Sequence, residues 1–317
     1  NLRNQCYRDY MYGKDQSLEH SLGELESAFA PLIEKITRIS ELPPPLTEDH
    51  ENLCIMVVLQ YARTAYSADV LNQFADGMWR NILKHDKRVT SEMLSRIRIV
   101  HQEPARYVVS LFLRSYHLIM DLGYRLLRAP PGTEFIASDN PVVMYNQLLE
   151  PTGLPSATGA GAKGLQIFFP LSPTHLLFMY DRHAYVVTPR RQRLVDVPTK
   201  ADMDQLNILQ VANASDAVYL RSPAADVFRL VQGGSRFRHS RKASVETFRR
   251  KGTQGDRSEL IGISRQDART NLSLSFVKLL KPTKAWRAEL LSRRLIPSVI
   301  LRNESYYRAH RAFSKLV

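Results

Sequence analysis

The chain has 317 residues, 44% hydrophobic and 24% charged, which suits a globular protein of one large domain or two smaller ones and excludes a fibrous or wholly disordered chain. Lys and Arg outnumber Asp and Glu by 44 to 31, a formal net charge of +13. The excess sits in the last quarter: residues 236–317 hold 20 Lys or Arg against 6 Asp or Glu, and residues 1–235 hold 24 against 25. This asymmetry points to an anionic partner such as nucleic acid, a membrane surface or an acidic protein, with a solvated basic face as the plain alternative.

The two cysteines, Cys6 and Cys54, show no pairing pattern, and Cys54 lies in an apolar run, as expected in a reducing compartment. The longest uncharged apolar stretch, Leu165 to Tyr180, contains Pro170 and Pro173 and is shorter than the roughly 20 residues a membrane helix needs. No membrane span is expected, and no signal peptide is legible.

In chain order, Leu18, Leu22, Leu25, Phe29, Leu32 and Ile36 form one apolar stripe of a helix that Asp15 or Ser17 can cap. Pro31 should kink or restart it. Ser40 to Leu46, with three prolines, reads as a stiff linker. Thr47 caps a second helix with Glu48, Asp49 and Glu51 in its first turn, and Leu53 to Ala62 is apolar nearly all round, as in a buried central helix. Thr90 to Val100 predicts a short helix, and Pro104 opens a long one to about Arg128.

Beyond Ala129 the pattern changes. Phe135–Ala137, Val142–Tyr145, Leu165–Phe169, His175–Tyr180, Ala184–Val187 and Arg193–Val197 read as short strands bounded by Pro, Gly, Asn or Asp. Thr199 and Asp202 form a capping box for a helix through about Asn213. Val218–Leu220 returns to the sheet, and Ala224–Val231 predicts another short helix. Arg236–Gly255 reads as a linker or disordered arm, and Leu272–Leu280 and Lys284–Leu295 as short basic amphipathic helices. The expected fold is α+β. An N-terminal helical layer (1–130) packs on a small, mostly antiparallel sheet (131–235), and a basic C-terminal extension (236–317) follows, partly disordered or in short helices.

Gly159 to Gly164 spells G-x-G-x-x-G, but a loop precedes it and an apolar strand follows. A dinucleotide fingerprint needs the reverse, so a flexible loop is expected. The histidines show no metal spacing, so no metal site or cofactor is identified and nothing supports a divalent ion. Ser138-Asp139-Asn140-Pro141, between two strands, is the sharpest polar cluster. It reads either as a turn or as a carboxylate and an amide presented at a sheet edge, with Asp139 as general base or metal ligand and Asn140 on an anion. His175 opens a strand and could supply a proton if its hairpin packs beside Asp139. Gln60 and Arg63 sit on the apolar second helix. Arg63 either pairs with Glu24 or Glu26 or joins Gln60 in binding an anion. Arg249-Arg250-Lys251, Arg293-Arg294 and Tyr306-Tyr307-Arg308 mix cations with aromatics, as single-strand nucleic-acid surfaces do.

Several pieces then fall in one order. They are Tyr12-Gly13-Lys14-Asp15 with Leu18-Glu19 and Leu25-Glu26, Gln60 to Thr64, Phe135 to Val142, Phe169-Pro170-Leu171-Ser172-Pro173, and Leu206-Asn207. Over about residues 7 to 221 the chain resembles the bacterial family catalogued as domain of unknown function 4238. The resemblance implies a cytoplasmic bacterial protein and no particular activity. The His-Tyr-x-Pro-like segment that opens many members does not precede the first helix here.

The expected function is association with nucleic acid, RNA rather than duplex DNA, through residues 236–317, because no DNA-reading motif is present. Its sharper form is a phosphodiester hydrolase using Asp139 and His175. The rival is a non-enzymatic protein interaction module in which Ser138 to Pro141 is only a turn. An enzyme would gather Asp139, His175 and Arg63 around one pocket, and a module would leave them apart.

Overall fold

The computed structural model describes residues 17–153, 157–221, 227–238, 243–251, 257–265, 269–293, 300–306 and 308. Cys6 and the segment Tyr12 to Asp15 lie outside them. Helix α1 (Ser17–Ile39) runs through Pro31 without a break. Leu22, Phe29, Leu32 and Ile36 are all buried, so its apolar stripe holds the helix across the lost hydrogen bond. Ser40 and Leu46, both at positive φ, bracket the triple-proline segment. That segment is a docked strap rather than a spacer: Leu42 is 1% exposed, and the Tyr124 hydroxyl donates to the Pro43 carbonyl at 2.8 Å.

Thr47 caps α2 (Glu48–Ala62), which is buried over most of its length. Helix α3 (Ala65–Leu83), capped by Thr64, has no counterpart in the sequence reading. Its polar face holds the next segment: Asn72 accepts from the His101 N–H at 2.9 Å, Asp76 accepts from Ile99 at 2.8 Å, and Arg80 donates to the Leu94 and Ile97 carbonyls. Helix α4 (Ser91–Arg96) is shorter than expected.

The long helix expected from Pro104 is two elements. Helix α5 (Pro104–Leu113) stops, a 3-10 turn (Tyr116–Ile119) follows, and Gly123–Arg128 is strand β1. Leu126 and Leu127 are buried toward opposite faces of the sheet, so β1 carries no two-residue alternation to betray it. Gly123 marks the change: a Cβ there would lie 3.1 Å from a ring carbon of Tyr180.

Two short strands stand apart: β2 (Ala137–Ser138) pairs with β8 (Val218–Tyr219). The main sheet joins β3 (Val143–Tyr145), β4 (Gln166–Pro170), β5 (His175–Tyr180), β1 and β7 (Leu194–Asp196), in that order. All its pairs are antiparallel except β1 with β7. The fold is α+β. Leu126, Ile167, Phe169, Leu177 and Met179 face α1, α2 and α5. Leu127, Phe168, Leu176 and Phe178 face a second core with Met203, Leu206 and Leu209 of α6 (Lys200–Asn213).

That second core revises the reading of the C-terminal quarter. Leu272, Leu274, Phe276 and Leu290 are buried in it. Strand β11 (Val277–Leu279) pairs with β6 (Tyr185–Val187), where a helix was expected. The alternation Leu272, Leu274, Phe276 follows the two-residue period of extended chain. The chain enters α7 (Val227–Ser235) before this region and α8 (Lys281–Arg293) after it. Part of the expected arm forms a hairpin, β9 (Ala243–Lys251) antiparallel to β10 (Arg257–Arg265). Residues 236–317 are therefore not simply an extension: residues 272–290 close the body.

Candidate functional site

Helix α6 reads the segment 134–142 through residues three apart. Asn207 Oδ1 accepts the Ile136 N–H at 3.1 Å, and its amide donates to the Glu134 carbonyl at 2.9 Å. Gln210 accepts from the Ser138 hydroxyl at 3.0 Å and donates to the Pro141 carbonyl at 2.8 Å. Asn213 donates to the Asn140 carbonyl at 2.6 Å. Asp139 accepts the Ser215 and Asp216 N–H groups, each at 2.7 Å, one on each carboxylate oxygen. Its own N–H donates to the Ala217 carbonyl at 3.1 Å. The Ser-Asp-Asn-Pro segment is thus clamped to α6 and its exit.

Asn140 does not suit an anion. Its amide N–H donates to the Asn213 carbonyl at 3.3 Å, and the atom left without a partner in the buried side chain is its Oδ1, an acceptor.

His175 belongs to another network. Its Nε2 lies 2.9 Å from the Ser40 hydroxyl on the strap, and its Nδ1 lies 2.9 Å from the Thr174 hydroxyl. Burial, then the Arg128 charge, holds its pKa below the usual histidine value, which favours the neutral ring. No hydrogen-bond partner of His175 is shared with Asp139. Arg63 makes the ion pair with Glu26, the structural alternative, and Gln60 is half-buried on the same helix.

The Gly159–Gly164 loop is pinned rather than flexible. Gly164 (φ 79) donates its N–H to Asp181 at 2.8 Å, and Lys163 donates its N–H to the Ile300 carbonyl at 2.8 Å. Arg302 forks onto both oxygens of Asp121 at 2.9 and 2.7 Å and donates to the Leu118, Ala160 and Ala162 carbonyls.

The basic residues of the last quarter fall into two groups. Some are occupied: Arg302 as described, Arg308 with Glu304 at 2.5 Å, and the Tyr306 hydroxyl on the His117 carbonyl at 2.6 Å. Arg294 and Tyr307 lie outside the described residues. Arg249, Arg250 and Lys251 end β9, where Lys251 stands opposite Arg257 and Arg249 opposite Glu259 in the backbone register.

The other group is free. Lys278 of β11 and Lys284 and Arg287 of α8 line one cavity of about 430 Å³ with Gln147, Tyr185, Leu272 and Ser273. Among the described residues none of the three makes an ion pair, and Arg287 makes one side-chain hydrogen bond, to the Gln147 carbonyl at 3.5 Å. The sequence reading did not single them out. Lys284 and Arg287, three apart on a helix, share a face, but Lys278 joins them only through the β11–β6 pairing.

Neither this cavity nor a second one of about 400 Å³, between Thr188, Gln192, Asp196 and Ser275, is lined by Asp139, His175 or Arg63. Among the described residues no three His, Cys, Asp or Glu side chains cluster as metal ligands. None of their helices is long and apolar enough to cross a membrane.

Comparison with curated proteins and with solved structures gives no match for this chain. A family does match: residues 1–224, well over half the length and including the clamped Ser-Asp-Asn-Pro segment, fit the pattern of Protein of unknown function (DUF4238), and the chain belongs to that family.

Proposed function

We propose that this protein binds a polyanion, with the backbone of single-stranded RNA as the ligand class, through its C-terminal quarter. The observation that carries this reading is the convergence of Lys278, Lys284 and Arg287 on one cavity with no carboxylate paired to them among the described residues. Unpaired cations gathered in a concavity create a local positive potential that an anion relieves. The cationic end of β9 adds to the same quarter. The reading is binding rather than hydrolysis, because both oxygens of Asp139 already accept backbone N–H groups and His175 faces the strap. The cytoplasmic bacterial setting implied by the family resemblance is one in which RNA is at hand.

Fluorescence anisotropy with labelled single-stranded RNA across a salt series tests it, using the full chain and a Lys278→Ala/Lys284→Ala/Arg287→Ala variant. The full chain should show a salt slope of about −0.7 per neutralised phosphate, and the variant a slope shallower by about 2. No binding at low salt, or a variant slope equal to the parent's, overturns the reading. Tighter binding of an acidic peptide than of RNA does so in favour of a protein partner.

A further inference from the structure

The three free cations do not line a track along the surface. They meet at one cavity, and its other lining is part apolar, from Leu272, Val277 and Leu279, and part polar, from Gln147, Tyr185 and Ser273. The Ser273 hydroxyl makes no hydrogen bond among the described residues, which leaves a donor in the lining. One N–H of the Gln147 amide is held by the Leu272 carbonyl at 2.6 Å, which leaves its second N–H as a further donor. The cavity therefore presents three positive charges, one hydroxyl and one amide N–H beside apolar side chains, in about 430 Å³.

An internal phosphodiester of RNA carries a single charge and continues on both sides. A phosphate monoester, with a second pKa of about 6, carries between one and two negative charges at pH 7 and ends the chain. Three unpaired cations around one cavity match that ligand better than the diester, and the apolar side chains of the lining suit the sugar and base attached to it.

We infer that the cavity is a site for a phosphate monoester dianion, held by Lys278, Lys284 and Arg287 with Ser273 as hydroxyl donor. This rests on the polyanion reading and narrows it. The monoester could be the terminal phosphate of an RNA or that of a free nucleoside monophosphate, and the chemistry of recognition is the same for both.

The test uses the full chain and two oligoribonucleotides of one sequence, one with a 5′-phosphate and one with a 5′-hydroxyl, with adenosine monophosphate and adenosine as competitors. The phosphorylated RNA should bind about tenfold tighter, the difference expected from one further charge-assisted contact. The preference should grow from pH 5.5 to pH 7 as the second phosphate proton leaves. It should vanish in Lys284→Ala and Arg287→Ala, whose melting temperatures should match the parent's.

Equal affinity for the two oligoribonucleotides, with no effect of adenosine monophosphate, overturns the monoester site and leaves polyanion binding standing. Binding of adenosine monophosphate but not adenosine, lost in the same variants and without RNA binding, supports the site and overturns the RNA reading. Binding of none of the four overturns both.

Discussion

The clamp around Asp139 and the cavity around Lys284 are built from similar polar chemistry and come to opposite ends. In the clamp, Asn207, Gln210, Asn213 and Asp139 each find backbone partners, and no charge is left over. In the cavity, Lys278, Lys284 and Arg287 find no carboxylate among the described residues. A polar group with every partner supplied from within holds the fold, and one without is available to a ligand. Conspicuous residue types are therefore a poor guide on their own, because how fully each group is satisfied separates the two roles.

The comparison can be pressed hardest at a cation that the fold consumes. The Arg302 side chain is 3% exposed and paired with Asp121, so Arg302→Ala should lower unfolding stability by about 3 to 5 kcal/mol, read from urea midpoints. Asp139→Ala should cost about 2 kcal/mol by freeing the Ser215 and Asp216 N–H groups, and should leave RNA affinity unchanged. A loss of affinity without a loss of stability would move Asp139 from the clamp to the site.

A pH series probes the strap. His50 Nδ1 accepts the Leu46 N–H at 3.3 Å, and the ring stacks on Tyr124 with Cys54 at its other nitrogen. Burial first, then the Arg193 charge, depresses its pKa, against a smaller opposing pull from Glu51. The unfolded ring takes a proton more readily than the folded one. Stability should therefore be full above about pH 6.5 and fall as the pH drops below it, with His175 adding in the same direction. His50→Gln should flatten that fall in urea midpoints measured from pH 7.5 to 5. The smallest effect sharpens the comparison most: Lys284→Ala should shift stability by no more than about 0.5 kcal/mol while weakening RNA binding.

Much of this architecture is legible in the sequence where local chemistry is unambiguous. The strand His175–Tyr180 is bounded by Pro173 and Asp181, and Thr47 and Thr199 cap their helices as read. Strand β1 is hidden because burial on both faces removes alternation and Pro104 launches a helix just upstream. Helix α3 is hidden because its face carrying Asn72, Asp76 and Arg80 is turned to the 94–101 segment, which blurs the apolar stripe. The Arg63–Glu26 pair was within reach as one of two readings. The cavity was not, since Gln147 and Lys284 are brought together only by the fold.

Residues 272–290 finish a core whose other walls lie far earlier in the chain, and this has a consequence for biosynthesis. The helical side of the sheet can close as soon as β7 is made, and α6 follows on the other side, but that second core lacks Leu272, Leu274, Phe276 and Leu290 until the final stretch arrives. On the ribosome the nascent protein thus carries a half-dressed sheet from the completion of β7 until residues 272–290 emerge. A translation arrest after α7 would release a species prone to aggregate, or one that a chaperone must hold.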